Sequence, residues 1–319
     1  MNMKLLSAFF RLIRWPNVVF IALSQLLFYY CILRPLLPVD YVSFSHSLTP
    51  FLFVLLLIAS LLISAAGYII NDYFDINIDQ INKPQKMVIE KIIKRRTAIL
   101  LHLFFSITGI IISIYVAWYT NVIIAIANII CTIVLWFYST TFKRKLLSGN
   151  IIIAALTSWA IVVLYFAVND VYLNNDAHFY IMNEAMKRIY MFTALYAGFA
   201  FVISLIREVV KDMEDMEGDK SYGCKTLPIV LGVPAAKVFT GVWLVVLIGA
   251  IALIQIYAFY SAWWWSGIYS LFLLILPLII ILQKNFKAQT SADFHQISSL
   301  IKWVMLMGIL SMIVIRFYL

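Results

Sequence analysis

Apolar runs long enough to cross a bilayer recur along the whole of this chain. A run of roughly 18 residues with almost no charge spans the hydrocarbon core as a helix, and "PFLFVLLLIASLLISAAGYII" (50–70) is one such run. The residues are 64% hydrophobic and 12% charged, where a soluble domain carries about 25% charged residues. The runs lie near 17–35, 50–70, 98–118, 121–138, 150–168, 189–210, 235–257, 262–282 and 298–317. They predict an all-α polytopic membrane protein of nine helices. Residues 1–319 are read as one membrane-embedded domain with no separate soluble module.

The segments between the runs alternate in positive charge. On one side stand Lys4, Arg11, Arg14, Lys83, Lys86, Lys91, Lys94, Arg95, Arg96, Lys143, Arg144, Lys145, Arg207, Lys211, Lys220, Lys225, Lys284 and Lys287. The other side has Arg34, Lys187, Arg188 and Arg316. Cytoplasmic loops carry the excess of Lys and Arg, so the N-terminus and the even loops are expected in the cytoplasm, at the cell (inner) membrane. With an odd number of spans the C-terminus is expected outside. "MNMKLLSAFFRLIRWPN" reads as a short amphipathic lead-in and not a cleaved signal. Cys31, Cys131 and Cys224 lie too far apart for a CxxC metal site. His46, His102, His178 and His295 show no ligand spacing and are expected at interfaces or in loops.

Against this apolar background, "NDYFDINIDQINKP" (71–84) follows the second run directly, with Asp72, Asp75 and Asp79 in it. The spacing D-x-x-D-x-x-x-D returns 140 positions later as Asp212, Asp215 and Asp219 in "REVVKDMEDMEGDKSYGCKTLP" (207–228), at the end of the sixth run. Each copy runs on into a Lys and a Pro. The pattern reads as an internal duplication that gives two pseudo-repeated halves. On a continuous helix, positions i, i+3 and i+7 fall within about 60° of arc. Each triad would then share one face, with Asn71 one turn before Asp75, Glu208 joining the second triad, and Glu214 and Glu217 turned away. Three carboxylates on one face repel unless something positive lies between them. Mg²⁺, a hard cation held by one or two carboxylates, waters and substrate phosphate, suits them. Lys83, Lys86, Arg95, Lys143, Arg144, Lys211 and Lys225 fall on the same side and suit a diphosphate. The layout fits a substrate with an apolar tail among the helices and a diphosphate head at the cytoplasmic mouth, where cations would stabilise the departing pyrophosphate.

"NDYFDINID" resembles the NDxxDxxxD motif of the UbiA superfamily of intramembrane prenyltransferases. "YSTTFKRKLLSGN" (138–150) resembles that superfamily's Tyr-x-x-x-x-Lys segment, and "RWPN" (14–17) the approach to its first helix. The resemblance implies nine helices around a large central cavity with cytoplasmic cap segments after spans two and six. It also implies Mg²⁺-dependent transfer of a prenyl group from a polyprenyl diphosphate. By motif position it implies Asn71, Asp72, Asp75 and Asp79, with Asp212, Asp215 and Asp219, as metal ligands. Asp75 and Asp215 would be central to catalysis, Lys143 would contact the diphosphate, and Tyr138 would lie near the reacting carbon. The substrate's phosphates would also meet Asn71, Lys83, Arg144, Lys211 and Lys225.

Within the superfamily, residues 207–232 look most like the digeranylgeranylglyceryl phosphate synthases. That branch joins geranylgeranyl to the free hydroxyl of geranylgeranylglyceryl phosphate and forms an ether lipid. Two departures stand out: Lys83–Pro84 replaces the usual Arg-Pro, which loses the bidentate fork of Arg, and Glu90 stands where Gly is common. Transfer to an aromatic acceptor, as in quinone synthesis, is the alternative within the superfamily. A cation transporter would want its acids near the bilayer midplane, whereas these lie at span ends. CDP-alcohol phosphotransfer would want an Asp-Gly signature that the sequence lacks. The expected partners are the prenyl diphosphate, a lipid or aromatic acceptor and membrane lipids, with no nucleic acid.

Overall fold

A computed structural model describes residues 3–37, 48–82, 87–169 and 179–319. Lys83, Lys86, His46 and His178 lie outside these residues. Among the described residues nine helices are long and apolar enough to cross a membrane. They are Trp15–Leu36, Pro50–Phe74, Arg95–Tyr119, Val122–Thr140, Ser148–Val168, Glu184–Glu214, Val233–Tyr260, Trp264–Lys287 and Ser291–Tyr318, here called the first to ninth spans. A helix satisfies its own backbone polar groups, which hydrocarbon cannot do for it. Polar side chains close the ends. Thr49 caps the second span by accepting from the Leu52 N–H at 3.3 Å, with Pro50 at the first helical position. Asn121 caps the fourth in the same way, and Thr290 and Asp293 form a reciprocal capping box on the ninth.

The chain divides into two compact units, each carrying one acidic motif. In the first (Met1–Leu26, Leu36–Lys143, Trp159–Thr193) the second, third and fourth spans pack together. Gly109 lets the third span approach the second: a Cβ there would lie 2.8 Å from Ile63 Cγ1. Buried polar side chains tie helices to one another. The Trp159 indole N–H donates to Asn128 Oδ1 at 2.9 Å, and Asn128 Nδ2 donates to Ser113 Oγ at 2.8 Å. Gln25 Nε2 donates to Ser60 Oγ at 3.0 Å and to the Ala160 carbonyl at 2.8 Å. His102, expected at an interface or in a loop, is helical and lies between two spans. It is buried in the third span, and its Nδ1 donates to the Ala66 carbonyl at 3.0 Å.

At the C-terminal end of the second span, an N-terminal helix (Met3–Leu12) lays Ala8 and Leu12 against Ile69, Ile76, Val88, Ile89 and Ile93. Val88–Ile93 is a tight turn in which the Glu90 N–H donates to the Ile93 carbonyl and the Ile93 N–H to the Val88 carbonyl. Glu90 has φ 71°. This left-handed conformation favours Gly, the residue expected here from the resemblance. Here Glu90 pairs with Arg95 at 2.6 Å.

The second unit (Leu27–Pro35, Arg144–Ser158, Ala194–Leu319) gathers the seventh, eighth and ninth spans with the C-terminal half of the sixth. Its core includes Ile206, Val210, Leu244, Leu278, Ile281 and Ile301. Gly308 sits under the Phe199 ring, where a Cβ would meet Cε1 at 2.4 Å.

Candidate active site

The second span runs past its apolar residues to Phe74, so Asn71 and Asp72 occupy its last turn. The helix then breaks at Asp75 (φ −90°, ψ −2°), and a short helix, Ile76–Asn82, carries Asp79 in its first turn. The expected unbroken helical face is therefore corrected: the middle carboxylate marks the break. The bond pattern nevertheless runs through it, with the Asp75 N–H donating to the Asn71 carbonyl at 3.0 Å and the Asp79 N–H to the Asp75 carbonyl at 2.8 Å. The buried Ile76 anchors the short helix to the cluster below the span.

Basic and amide groups hold these carboxylates. Lys143, from the turn Phe142–Arg144 after the fourth span, pairs with Asp75 Oδ1, and both side chains are largely buried. Asn71 Nδ2 donates to Asp75 Oδ2 at 2.7 Å. Arg14 donates to Asp72 Oδ1 at 2.6 Å, with its guanidinium 5.4 Å from the Tyr68 ring centroid. Arg14 itself has φ 50°, a left-handed residue at the corner between the N-terminal helix and the first span. The Asp72 carboxylate, with Asp79 adding to it, holds the guanidinium in its charged form more firmly than usual, against the opposing effect of burial.

In the second unit the pattern repeats. The sixth span ends at Glu214 with Lys211 and Asp212 in its last turn. Asp215 (φ −95°, ψ 9°) marks the break, and Met216–Ser221 carries Asp219. The Asp215 N–H donates to the Lys211 carbonyl at 2.8 Å and the Asp219 N–H to the Asp215 carbonyl at 3.2 Å. An asparagine again supports a carboxylate, with Asn150 Nδ2 donating to Asp212 Oδ2 at 2.8 Å. Glu208 gathers Lys211 at 2.8 Å and Arg207 at 3.2 Å. Glu214 is turned to the ninth span, 2.8 Å from His295 Nδ1, and its carbonyl accepts from Ser291 Oγ. Glu217 is exposed. Glu214 is thus engaged away from the cluster, and Glu217 faces solvent.

A family model for the UbiA prenyltransferase family matches residues 32–306. The chain belongs to this family. A digeranylgeranylglyceryl phosphate synthase of Methanosphaera stadtmanae is 29% identical over 250 residues, 78% of this chain and 82% of that protein. The fold is shared with solved UbiA structures. One is a structure described as giving structural and mechanistic insights into the biosynthesis of digeranylgeranylglyceryl phosphate synthase in membranes. It has a TM-score of 0.64 and 24% identity over 99% of this chain and 100% of that one. Another is a UbiA homolog from Archaeoglobus fulgidus bound to GPP and Mg²⁺, with a TM-score of 0.55 and 14% identity over 96% and 99% of the two chains.

In this prenyltransferase the acidic motifs would have to supply the ligands of such a metal. Among the described residues no three His, Cys, Asp or Glu side chains converge as ligands. Arg14 and Lys143 supply positive charge to Asp72 and Asp75 of the first motif. However, Asn71 Oδ1 is a buried acceptor with no hydrogen-bond partner, next to Asp75. An amide oxygen beside one carboxylate is a hard donor set of the kind Mg²⁺ takes while keeping several waters. The first motif fits a metal on that ground.

Of the other sequence candidates, Tyr138 is half-buried on the last turn of the fourth span. Arg144 is exposed, and its carbonyl accepts from the Lys225 N–H at 2.8 Å. Lys225 also has an exposed side chain. Lys211 is spent on Glu208. Sequence reasoning missed roles for Arg14 and Asn150. Both stand inside "RWPN" and "YSTTFKRKLLSGN", but their partners lie 58 and 62 residues away.

Proposed function

We propose that this UbiA-family prenyltransferase moves a geranylgeranyl group from its diphosphate to the free hydroxyl of geranylgeranylglyceryl phosphate, with Mg²⁺ bound at the acidic motifs. The observation that carries the reading is the constellation Asn71–Asp75–Lys143. It joins a cation, a carboxylate and an orphaned amide oxygen at the break that ends an apolar span. The likeness to a digeranylgeranylglyceryl phosphate synthase over most of both chains supports the choice of acceptor.

The chemistry follows from these groups. Breaking the C1–oxygen bond of the donor releases pyrophosphate, whose developing charge Lys143 can neutralise from its place beside Asp75. A divalent cation held at Asn71, Asp72, Asp75 and Asp79 would stabilise the same leaving group, and Asp212, Asp215 and Asp219 would hold a further cation in the second unit. Asn71 fixes the Asp75 carboxylate, and Arg14 fixes Asp72. The allylic cation left at C1 is spread over the double bond. It is captured by the acceptor oxygen, which forms the ether bond and gives up its proton to the released pyrophosphate.

The charge bias of the loops supports a cytoplasmic position for both motifs, at the cell membrane. The test is the mass of the lipid product from membranes given labelled geranylgeranyl diphosphate and a panel of glycerol phosphate and aromatic acceptors, with and without a Mg²⁺ chelator. An ether-linked product that needs the metal is expected. A prenylated aromatic product alone would overturn the acceptor, and metal-independent turnover would overturn the motif assignment. Accessibility labelling of single-cysteine variants near Lys91 and Leu319 should report opposite sides, and labelling from one side would overturn the orientation.

A further inference from the structure

Away from the acidic side chains, the N-terminal helix and the turn Val88–Ile93, which follows the first motif's short helix, form a groove of about 730 Å³. Lys4, Ser7, Arg11 and Lys91 line it together with Leu5 and Ile92, and no residue of its lining carries a carboxylate. The nearest acid in sequence, Glu90, is engaged by Arg95. We propose that this groove binds the phosphate headgroup of an anionic membrane glycerolipid, as a site separate from the catalytic one.

Three observations converge on a lipid. The first is charge: three cationic side chains meet in one concavity, which is complementary to an anion. Lys4, Ser7 and Arg11 follow one another at three and four residues, so they form a single polar stripe within about 60° on the helix.

The second is the arrangement around that stripe. On one flank Ala8 and Leu12 are buried against the end of the second span. On the other, Met3 and Phe10 are exposed at 84% and 46%. A helix with a cationic stripe beside an uncovered apolar edge lies in the membrane–water interface, with its apolar edge among acyl chains and its cations at headgroup level.

The third is position. The helix is fastened at the end of a span, through Ile69 and Ile76, which is where a bilayer's headgroups lie. A soluble anion would use the cations but leave the apolar edge in water. A lipid uses both.

Binding of such a lipid would hold the N-terminal helix against the turn that bears Lys91 and Ile92. It would thereby steady the corner at Arg14, whose guanidinium is fixed on Asp72.

The experiment uses the full chain in detergent micelles, titrated with phosphatidylglycerol or with phosphatidylcholine of the same chains and read by native mass spectrometry. Phosphatidylglycerol is expected to remain bound where phosphatidylcholine does not. Each of Lys4→Gln, Arg11→Gln and Lys91→Gln should weaken retention about fivefold, the factor expected for one cation at an anionic surface. The triple variant should lose the adduct. A variant with the same change in net charge elsewhere (Lys284→Gln, Lys287→Gln, Lys302→Gln) should keep it, as should the charge-preserving Lys4→Arg with Lys91→Arg. In the unaltered protein, retention should fall as salt rises. Equal retention of the two lipids, equal loss in the control variant, or retention insensitive to salt would each overturn the proposal. Full displacement by inorganic phosphate at the lipid's own concentration would assign the groove to a free anion and overturn it too. Because none of these readouts depends on turnover, they stand or fall separately from the proposed reaction.

Discussion

The pair between Asp75 and Lys143 allows a catalytic role for Asp75 to be separated from a structural one. Their side chains are 14% and 11% exposed, so water does little to screen either charge. Removing one partner of a fully buried pair costs about 3–5 kcal/mol, because the survivor is left uncompensated. Exposed pairs are worth about 0–1 kcal/mol. This pair stands nearer the buried limit, and Asn71 continues to donate to whatever oxygen position 75 offers. We therefore expect Asp75→Asn and Lys143→Met each to cost about 2 kcal/mol of stability. In the double variant neither charge is stranded, and a coupling of about 3 kcal/mol should return one loss entirely and about half of the other. Thermal unfolding in detergent, followed by intrinsic fluorescence, would give single variants that melt early and a double variant that melts later than either. Turnover should behave differently. All three variants should lose at least about a hundredfold in product formation, the size of effect seen when a group that stabilises developing charge is removed. If the double variant regains turnover along with stability, the pair is a structural strut and the assignment of Asp75 and Lys143 to the diphosphate fails.

In the second motif, Asp215→Ala should nearly abolish product formation while Glu217→Ala, whose side chain is exposed, should change it little. The reverse order in purified, folded variants would reject the motif assignment. Glu90→Gly should leave the unfolding midpoint unchanged or raise it. Relief of a left-handed residue is worth about 1 kcal/mol against an exposed pair worth about the same or less. A clear loss would show that the Arg95 pair dominates the turn. Gly308→Ala should destabilise by about 1–3 kcal/mol, since the added methyl meets Phe199 at 2.4 Å and must displace a ring; an unchanged midpoint would mean that the ring moves freely. A donor whose allylic hydrogens are replaced by fluorine should turn over far more slowly at similar binding, because fluorine opposes positive charge at C1. An unchanged rate with chemistry limiting would favour direct displacement.

The nine spans were legible because bilayer thickness imposes one length on every apolar run, and hydropathy reports that length directly. Their ends were less so. The sixth span continues through "KDME" to Glu214 because helix propagation depends on the i→i−4 ladder and not on hydropathy, and water-level residues extend it as readily as apolar ones. The contacts of Arg14 and Asn150 were illegible for another reason. Each meets its carboxylate across about sixty residues of sequence, and no periodicity within a segment reports such a meeting. The break at the middle aspartate was not announced either, since neither "NDYFDINID" nor "KDMEDMEGD" has a Gly or Pro at that point. Yet the two breaks agree to within about ten degrees in ψ and share the same two backbone hydrogen bonds. That agreement accounts for the repeated spacing better than a shared helical face does. The first aspartate rides the last turn of a span, the middle one occupies the bridge conformation that Asp tolerates better than bulky or β-branched residues, and the third follows four residues later, inside the short helix that the break begins. A shift of one residue in either interval would move a carboxylate off its turn while leaving the span intact. The D-x-x-D-x-x-x-D pattern is thus a constraint on where a membrane helix stops and restarts, and the carboxylates occupy the three positions that such a stop provides.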